Sequence, residues 1–243
     1  MLIRFAEIYE NTEILSPVDR RSWEFIGKTC RLSPASRVME LASGKGAFAF
    51  YLAKNFGCRV DCFDINSEFV DYCAVRATDL GLASRLRFTC CSVDDLEIER
   101  EVYDLGVCLG SLYLFREAGW RVLMKGVGKQ GYLAISDLFC RKVPPPPEVM
   151  QVFFEEEGPL PTLEYVRHWY TDRGLRVLQE RECTREAWRE YYDSMDRMLS
   201  TLAVRCRSDQ ERQAEIKEAF REVSVARKYG EYLGYMMFIM RKT

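Results

Sequence analysis

Four polar clusters in this 243-residue chain each follow a short apolar run, and they are the residues best equipped for chemistry. Glu40 is followed by Leu41-Ala42-Ser43-Gly44-Lys45-Gly46. Asp64 stands eighteen residues after Gly46, Ser92-Val93-Asp94-Asp95 comes next, and Leu109-Gly110-Ser111 closes the series. Gly44 and Gly46 lack side chains, so the backbone there can approach a ligand closely. A carboxylate such as Asp64, at the end of a second strand, is placed to accept both hydroxyls of a ribose. Gly44-Lys45-Gly46-Ala47-Phe48-Ala49 also fits the loose dinucleotide fingerprint, so the glycines and Asp64 alone do not choose between cofactors. Glu40 ahead of the glycines does discriminate, because a carboxylate there repels a pyrophosphate and attracts a cationic amino group. The acidic loop around Asp94 is suited to reading an adenine amino group.

Other chemistry is poorly provided for. The ten cysteines include no Cys-x-x-Cys pair, and the single histidine, His168, is remote from all of them in sequence. A structural zinc site is therefore not expected, and ten free thiols point to a reducing, cytoplasmic compartment. The formal charge of −2 gives no reason to bind a polyanion, so nucleic acid is not an expected partner. Arg205 and Arg207, or Arg241 and Lys242, read as solvated surface. No apolar stretch approaches the ~20 residues of a membrane span, and no leader is expected.

The elements that must position these residues alternate. Ser16-Pro17-Val18-Asp19 predicts a helix start with a Ser cap, followed by Trp23, Ile26 and Cys30 on one face. Apolar runs predict strands at 37–41, 58–63, 85–91, 103–109 and 131–137, with helices at 47–55, from Ser67 to Gly81, and around 120–126. Four prolines, 144–147, predict a stiff polyproline II connector. A helix from Thr162, a sixth strand at 175–181, a helical hairpin through Trp188, Tyr191, Met195, Leu199, Leu202, Ile216, Phe220 and Val223, and a final apolar strand at 232–240 complete the pattern. The fold class expected is α/β: a doubly wound, mostly parallel, Rossmann-like sheet of seven strands, the last inserted antiparallel, plus a helical lid. The expected organisation is an N-terminal helical cap (1–35), a core (36–140), a connector with helix and sixth strand (141–183), a helical insertion (184–230) and a returning strand (231–243).

Val38-Met39-Glu40-Leu41-Ala42-Ser43-Gly44-Lys45-Gly46 resembles the first motif of class I S-adenosylmethionine (SAM)-dependent methyltransferases, an acidic residue followed by alternating glycines. The resemblance runs from Ser36 to Asp137 and, more loosely, over the final strand. It implies SAM as cofactor, with Glu40 near the methionyl amino group and Ala42, Ser43, Gly44 and Gly46 along the methionine part. It further implies Asp64 on the ribose, Ile65 on the adenine face, Val93 offering its N–H to the adenine ring, and Leu109 beside the cofactor. Two positions depart from the pattern. Ala42 stands where the family has its first glycine, and Ser92 stands where an Asp often reads the adenine amino group, leaving Asp94 to take that role.

The implied acceptor is a small molecule, because the order of the C-terminal segments is similar to small-molecule methyltransferases with a helical insertion. Tyr113, after the fourth strand, is the residue expected beside the reacting groups, with Tyr9, Ser111 and Tyr229 as further substrate contacts. Trp188 and Tyr232 are aromatic candidates for the same pocket, whereas His168 is expected on the surface. A nicotinamide-dependent oxidoreductase and a non-catalytic SAM-binding module are the rival readings, and the oligomeric state is left open.

Overall fold

The computed structural model describes residues 15–154 and 159–243. Its centre is a seven-stranded sheet in the order β3-β2-β1-β4-β5-β7-β6. The strands are β1 (Arg37–Leu41), β2 (Arg59–Asp64), β3 (Leu86–Cys90), β4 (Tyr103–Leu109), β5 (Val127–Cys140), β6 (Leu175–Glu182) and β7 (Leu233–Lys242). Strands β1 to β5 pair in parallel, and β7 runs antiparallel between β5 and β6. The chain order reverses between β1 and β4, so the loops leaving their carboxyl ends frame the crevice where doubly wound sheets bind ligands.

Helices cover both faces. Helices α1 (Arg20–Thr29), α2 (Ala47–Asn55) and α3 (Ser67–Asp79) pack Trp23, Ile26, Leu52, Cys73 and Ala77 onto one side. Helices α4 (Arg116–Gly126) and α6 (Leu163–Thr171) pack Val122, Leu123, Trp169 and Tyr170 onto the other. Strand β7 is buried without interruption from Leu233 to Met240, as a strand covered on both faces must be. Full burial of each large apolar side chain contributes roughly 1.5–3 kcal/mol, which makes this sheet the rigid frame for the loops above it.

A third apolar cluster lies outside that sandwich. Helices α5 (Pro147–Phe153), α7 (Arg185–Arg205) and α8 (Gln210–Lys228) bury Val149, Tyr192, Met195, Leu199, Ile216 and Val223 against one another. The stripes expected for a helical hairpin form α7 and α8, with Phe69 of α3 joining their cluster.

The sequence pattern misplaces several boundaries. Helix α1 begins at Arg20 with Asp19 as its cap, the Asp19 carboxylate accepting the Ser22 N–H at 2.8 Å, so Ser16 is not the cap. Asn66, not Ser67, caps α3 and accepts from the N–H groups of Glu68 and Phe69. The exposed Leu80 closes α3, one residue before Gly81. Strand β5 is longer than its apolar run, because β7 pairs with it from Tyr132 to Cys140. The proline run does not stay extended to its end, since Pro147 opens α5, where proline's fixed φ suits a first helical turn.

Candidate functional site

The loop between β1 and α2 is built on three left-handed residues at alternate positions: Ala42 (φ 51°), Gly44 (φ 53°) and Gly46 (φ 66°). The Ser43 N–H donates to the Phe63 carbonyl at 3.2 Å, and the Gly46 N–H to the Ser43 carbonyl at 2.9 Å. Glycine adopts this conformation without penalty, whereas an alanine is held there at a cost of roughly 1–2 kcal/mol. Gly46 has a second reason to be glycine, because a Cβ there would lie 2.9 Å from the Phe88 ring and 3.2 Å from the Cys73 sulfur. It caps α2 and is not among the residues of the cavity wall.

Two carboxylates flank the loop. Glu40 is buried with one carboxylate oxygen, Oε2, lacking a hydrogen-bond partner among the described residues. Burial, reinforced by the nearby Asp64 and opposed by the Ala49 N–H of the first turn of α2, pushes its carboxyl up to about 8. The Ser43 Oγ is likewise buried and has no partner among the described residues. Asp64 is tied down instead: its Oδ2 accepts the Gly44 N–H at 2.7 Å and its Oδ1 the Asn66 N–H at 2.9 Å. Burial raises the Asp64 carboxyl, and the N–H donors of Asn66, Gly44 and Ile65 oppose the rise. The second-strand carboxylate therefore also braces the glycine loop, a role its sequence position does not announce.

These groups open onto a cavity of about 590 Å³, inside the ~300–1,000 Å³ range typical of ligand pockets. Glu40, Ala42, Ser43, Gly44 and Asp64 form one end of its wall. Ile65, 75% exposed, presents an apolar face beside Ser92, Val93 and Asp94. In that last loop the Asp94 N–H donates to the Ser92 Oγ at 3.2 Å, and Val93 is buried. Leu109 and Ser111 lie on the wall at the end of β4, with Gly110 at φ 108° between them. A Cβ at Gly110 would sit 2.9 Å from the Tyr235 Oη and 3.0 Å from the Ser16 Cβ. Ser16, expected to cap a helix, is thereby a wall residue. Tyr113 follows in a single 3-10 turn (Leu112–Phe115), 60% exposed and also on the wall.

Other expected residues lie elsewhere. Tyr229 is off the wall at the end of α8, where its ring meets Tyr232 edge-on at 6.3 Å and Lys228 lies 4.6 Å from it. Trp188 is off the wall as well, its ring 5.0 Å from that of Tyr192 and its buried Nε1 without a partner among the described residues. Tyr9 lies outside the described residues. His168 is exposed on α6, away from the cavity. The wall also holds Asn66, Phe69 and, from α7, Tyr191, none of which the sequence pattern singles out. Among the described residues, no group of three or more His, Cys, Asp or Glu side chains is arranged to hold a metal, and no helix is long and apolar enough to cross a membrane.

Residues 38–129 match a protein family described as a methyltransferase domain. That segment contains the whole loop system just described, from the Glu40 strand to the turn of Tyr113. Over that segment the chain is similar to a methyltransferase domain. Its seven-stranded sheet superposes on a SAM-dependent methyltransferase from Geobacter sulfurreducens, solved with S-adenosyl-L-homocysteine (TM-score 0.86, 20% identity, 98% of this chain and 97% of that one). A SAM-dependent methyltransferase from Thiobacillus denitrificans, also solved with S-adenosyl-L-homocysteine, is covered completely, as is this chain (TM-score 0.84, 18% identity). An uncharacterized protein of Escherichia coli K12, YjhP, is 23% identical over 182 residues, 73% of each chain. The seven-stranded fold with its antiparallel β7 is the part of the architecture that the likeness to these structures supports.

Proposed function

We propose that this chain binds SAM in the crevice and transfers its methyl group to a small-molecule acceptor by in-line displacement. The observation that carries the reading is Glu40, whose buried Oε2 has no partner among the described residues. A buried polar atom left unpaired costs roughly 1–3 kcal/mol, and the cationic amino group of SAM would relieve that cost. The unpartnered Ser43 Oγ beside it suits the same amino acid end. Asp64 keeps carboxylate lone pairs for ribose hydroxyls beyond the two N–H bonds it accepts. Ile65 offers a flat apolar surface for adenine, with Val93 and Asp94 adjacent.

When bound, SAM supplies an electrophilic methyl group on a sulfonium. The protein's part is to hold donor and acceptor in line and keep water out, and orientation of this kind is worth ~7–11 kcal/mol. Tyr113 and Ser111 are the residues we assign beside the acceptor. The hairpin of α7 and α8, which brings Tyr191 to the wall, acts as its cover. The ten cysteines form no disulfide, and we place the enzyme in the cytoplasm on that ground.

Incubation with methyl-labelled SAM and a total extract of the source cells tests this reading. Label should pass a small-pore filter as methylated metabolite. Label retained on protein or RNA would refute the small-molecule acceptor, and absence of transfer despite SAM binding would favour a non-catalytic module.

A further inference from the structure

The charges on the cavity wall all lie on one side of the reversal in the sheet. The sheet runs β3-β2-β1-β4, and the carboxylates of the wall follow that order: Asp94 after β3, Asp64 at the end of β2 and Glu40 in β1. They belong to the end of the crevice assigned to SAM. Beyond β1, the chain leaving β4 contributes Leu109, Gly110, Ser111, Tyr113, Leu114 and Phe115, none of them charged. The wall holds no lysine, arginine or histidine among the described residues.

The other residues that reach this part of the wall are apolar or aromatic. Leu15, Phe69 and Tyr191 come from the chain ahead of α1, from α3 and from α7, and all three pack in the apolar cluster of the helical hairpin. Tyr113 and Leu114 are 60% and 61% exposed, two consecutive large side chains left open to solvent on the cavity wall. An apolar patch that borders a pocket marks a surface that a ligand covers. The polar groups here are the hydroxyls of Ser16, Ser111, Tyr113 and Tyr191, which exchange hydrogen bonds without carrying charge. An ion would leave water for a surface with no counter-charge, and neither hydroxyls nor ring faces recover the whole of its hydration. A flat neutral ring loses little on leaving water and gains edge and face contacts with the rings of the wall.

We propose that the β4 side of the cavity is an acceptor subsite for an uncharged aromatic molecule, packed by Tyr113, Phe115 and Tyr191 and offered hydrogen bonds by Ser16 and Ser111. Selection there works by exclusion as well as by contact, because neither an anion nor a cation finds its counter-charge on that side. This deepens the methyl-transfer reading and rests on it.

The test uses the full chain saturated with S-adenosyl-L-homocysteine and four probes on one two-ring skeleton: 2-naphthol, 2-naphthoate, 2-naphthylmethylammonium and the saturated decahydro-2-naphthol. Calorimetric titration at neutral pH, where both alcohols are uncharged, should show 2-naphthol binding at least about tenfold more tightly than either ion. It should also bind about three- to tenfold more tightly than its saturated counterpart. Tyr191→Leu should reduce that ring preference to about twofold or less while the discrimination against ions remains. Tyr113→Leu, on the exposed turn, serves the same purpose if Tyr191→Leu does not fold. An ion binding as tightly as 2-naphthol, equal binding of the aromatic and saturated alcohols, no binding of any probe, or an unchanged ring preference in the variants would each overturn the proposal. Failure of the wild type to bind S-adenosyl-L-homocysteine would instead remove the methyl-transfer reading beneath it.

Discussion

Glu40 makes the stability of the free protein depend on pH in a direction opposite to that of most carboxylates. In the unfolded chain its carboxyl has its ordinary value of 4.5, and in the folded protein burial and Asp64 push it up to about 8. Between those values the folded state holds a proton that the unfolded state has lost. The stability this contributes is therefore fully present below 4.5 and is lost as pH rises through about 8. At about 1.4 kcal/mol per pH unit the whole window corresponds to about 5 kcal/mol, and relaxation around the carboxylate will reduce that figure. Asp64, Asp137 and Glu222 are raised by burial as well and add slopes of the same sign, so the wild-type profile alone does not isolate Glu40. Replacement by glutamine does, because Glu40→Gln preserves shape and cannot titrate. Urea unfolding of the free protein at half-unit steps from pH 5 to pH 8 should show wild-type stability falling by roughly 1 kcal/mol per unit more steeply than the variant's. Parallel profiles would show that Glu40 stays ionised in the folded protein, and the account of its unpartnered oxygen would fail.

The glycine loop supplies two further tests. Ala42→Gly removes a left-handed alanine at a cost in chain entropy, for a net gain of about 0.5–1 kcal/mol and a rise in Tm of roughly 2–4 °C, read by differential scanning fluorimetry. A fall in Tm would mean that the Ala42 methyl packs usefully. Gly46→Val places a branched side chain at φ 66° against Phe88 and Cys73, and should destabilise by more than about 3 kcal/mol in urea titrations. A loss under 1 kcal/mol would show that the loop can adopt another path.

Much of this was legible in the residues, and the parts that were not have identifiable causes. Strands β1 and β4 and helix α2 coincide with short-range signals: apolar runs that end at Leu41 and Leu109, and a helical segment from Ala47 that the Gly44–Gly46 turn precedes. The antiparallel β7 was legible because eight consecutive apolar or small residues after the sixth strand have few other places to be buried. Ala42 was marked as standing where the family pattern has a glycine, and its left-handed backbone gives that departure a physical form. Helix caps were less legible, since Ser16, Asp19, Asn66 and Ser67 are all competent caps and tertiary packing chooses among them. Residues brought to the crevice from distant elements were the least legible. Tyr191 was legible only as a member of a helical stripe, and helical periodicity does not say which stripe residue reaches the crevice. Tyr229, one residue past α8, has a composition suited to the pocket but packs with Tyr232 and Lys228.

The central claim is that the crevice holds SAM by its amino group through Glu40. Titration of S-adenosyl-L-homocysteine, which carries the same amino group, into the wild type and Glu40→Gln at pH 8.5 tests it directly, because Glu40 is then largely carboxylate in the free protein. The account predicts one-to-one binding by the wild type and at least about tenfold weaker binding by the variant. Failure of the wild type to bind, or equal affinity of the two proteins, would contradict it.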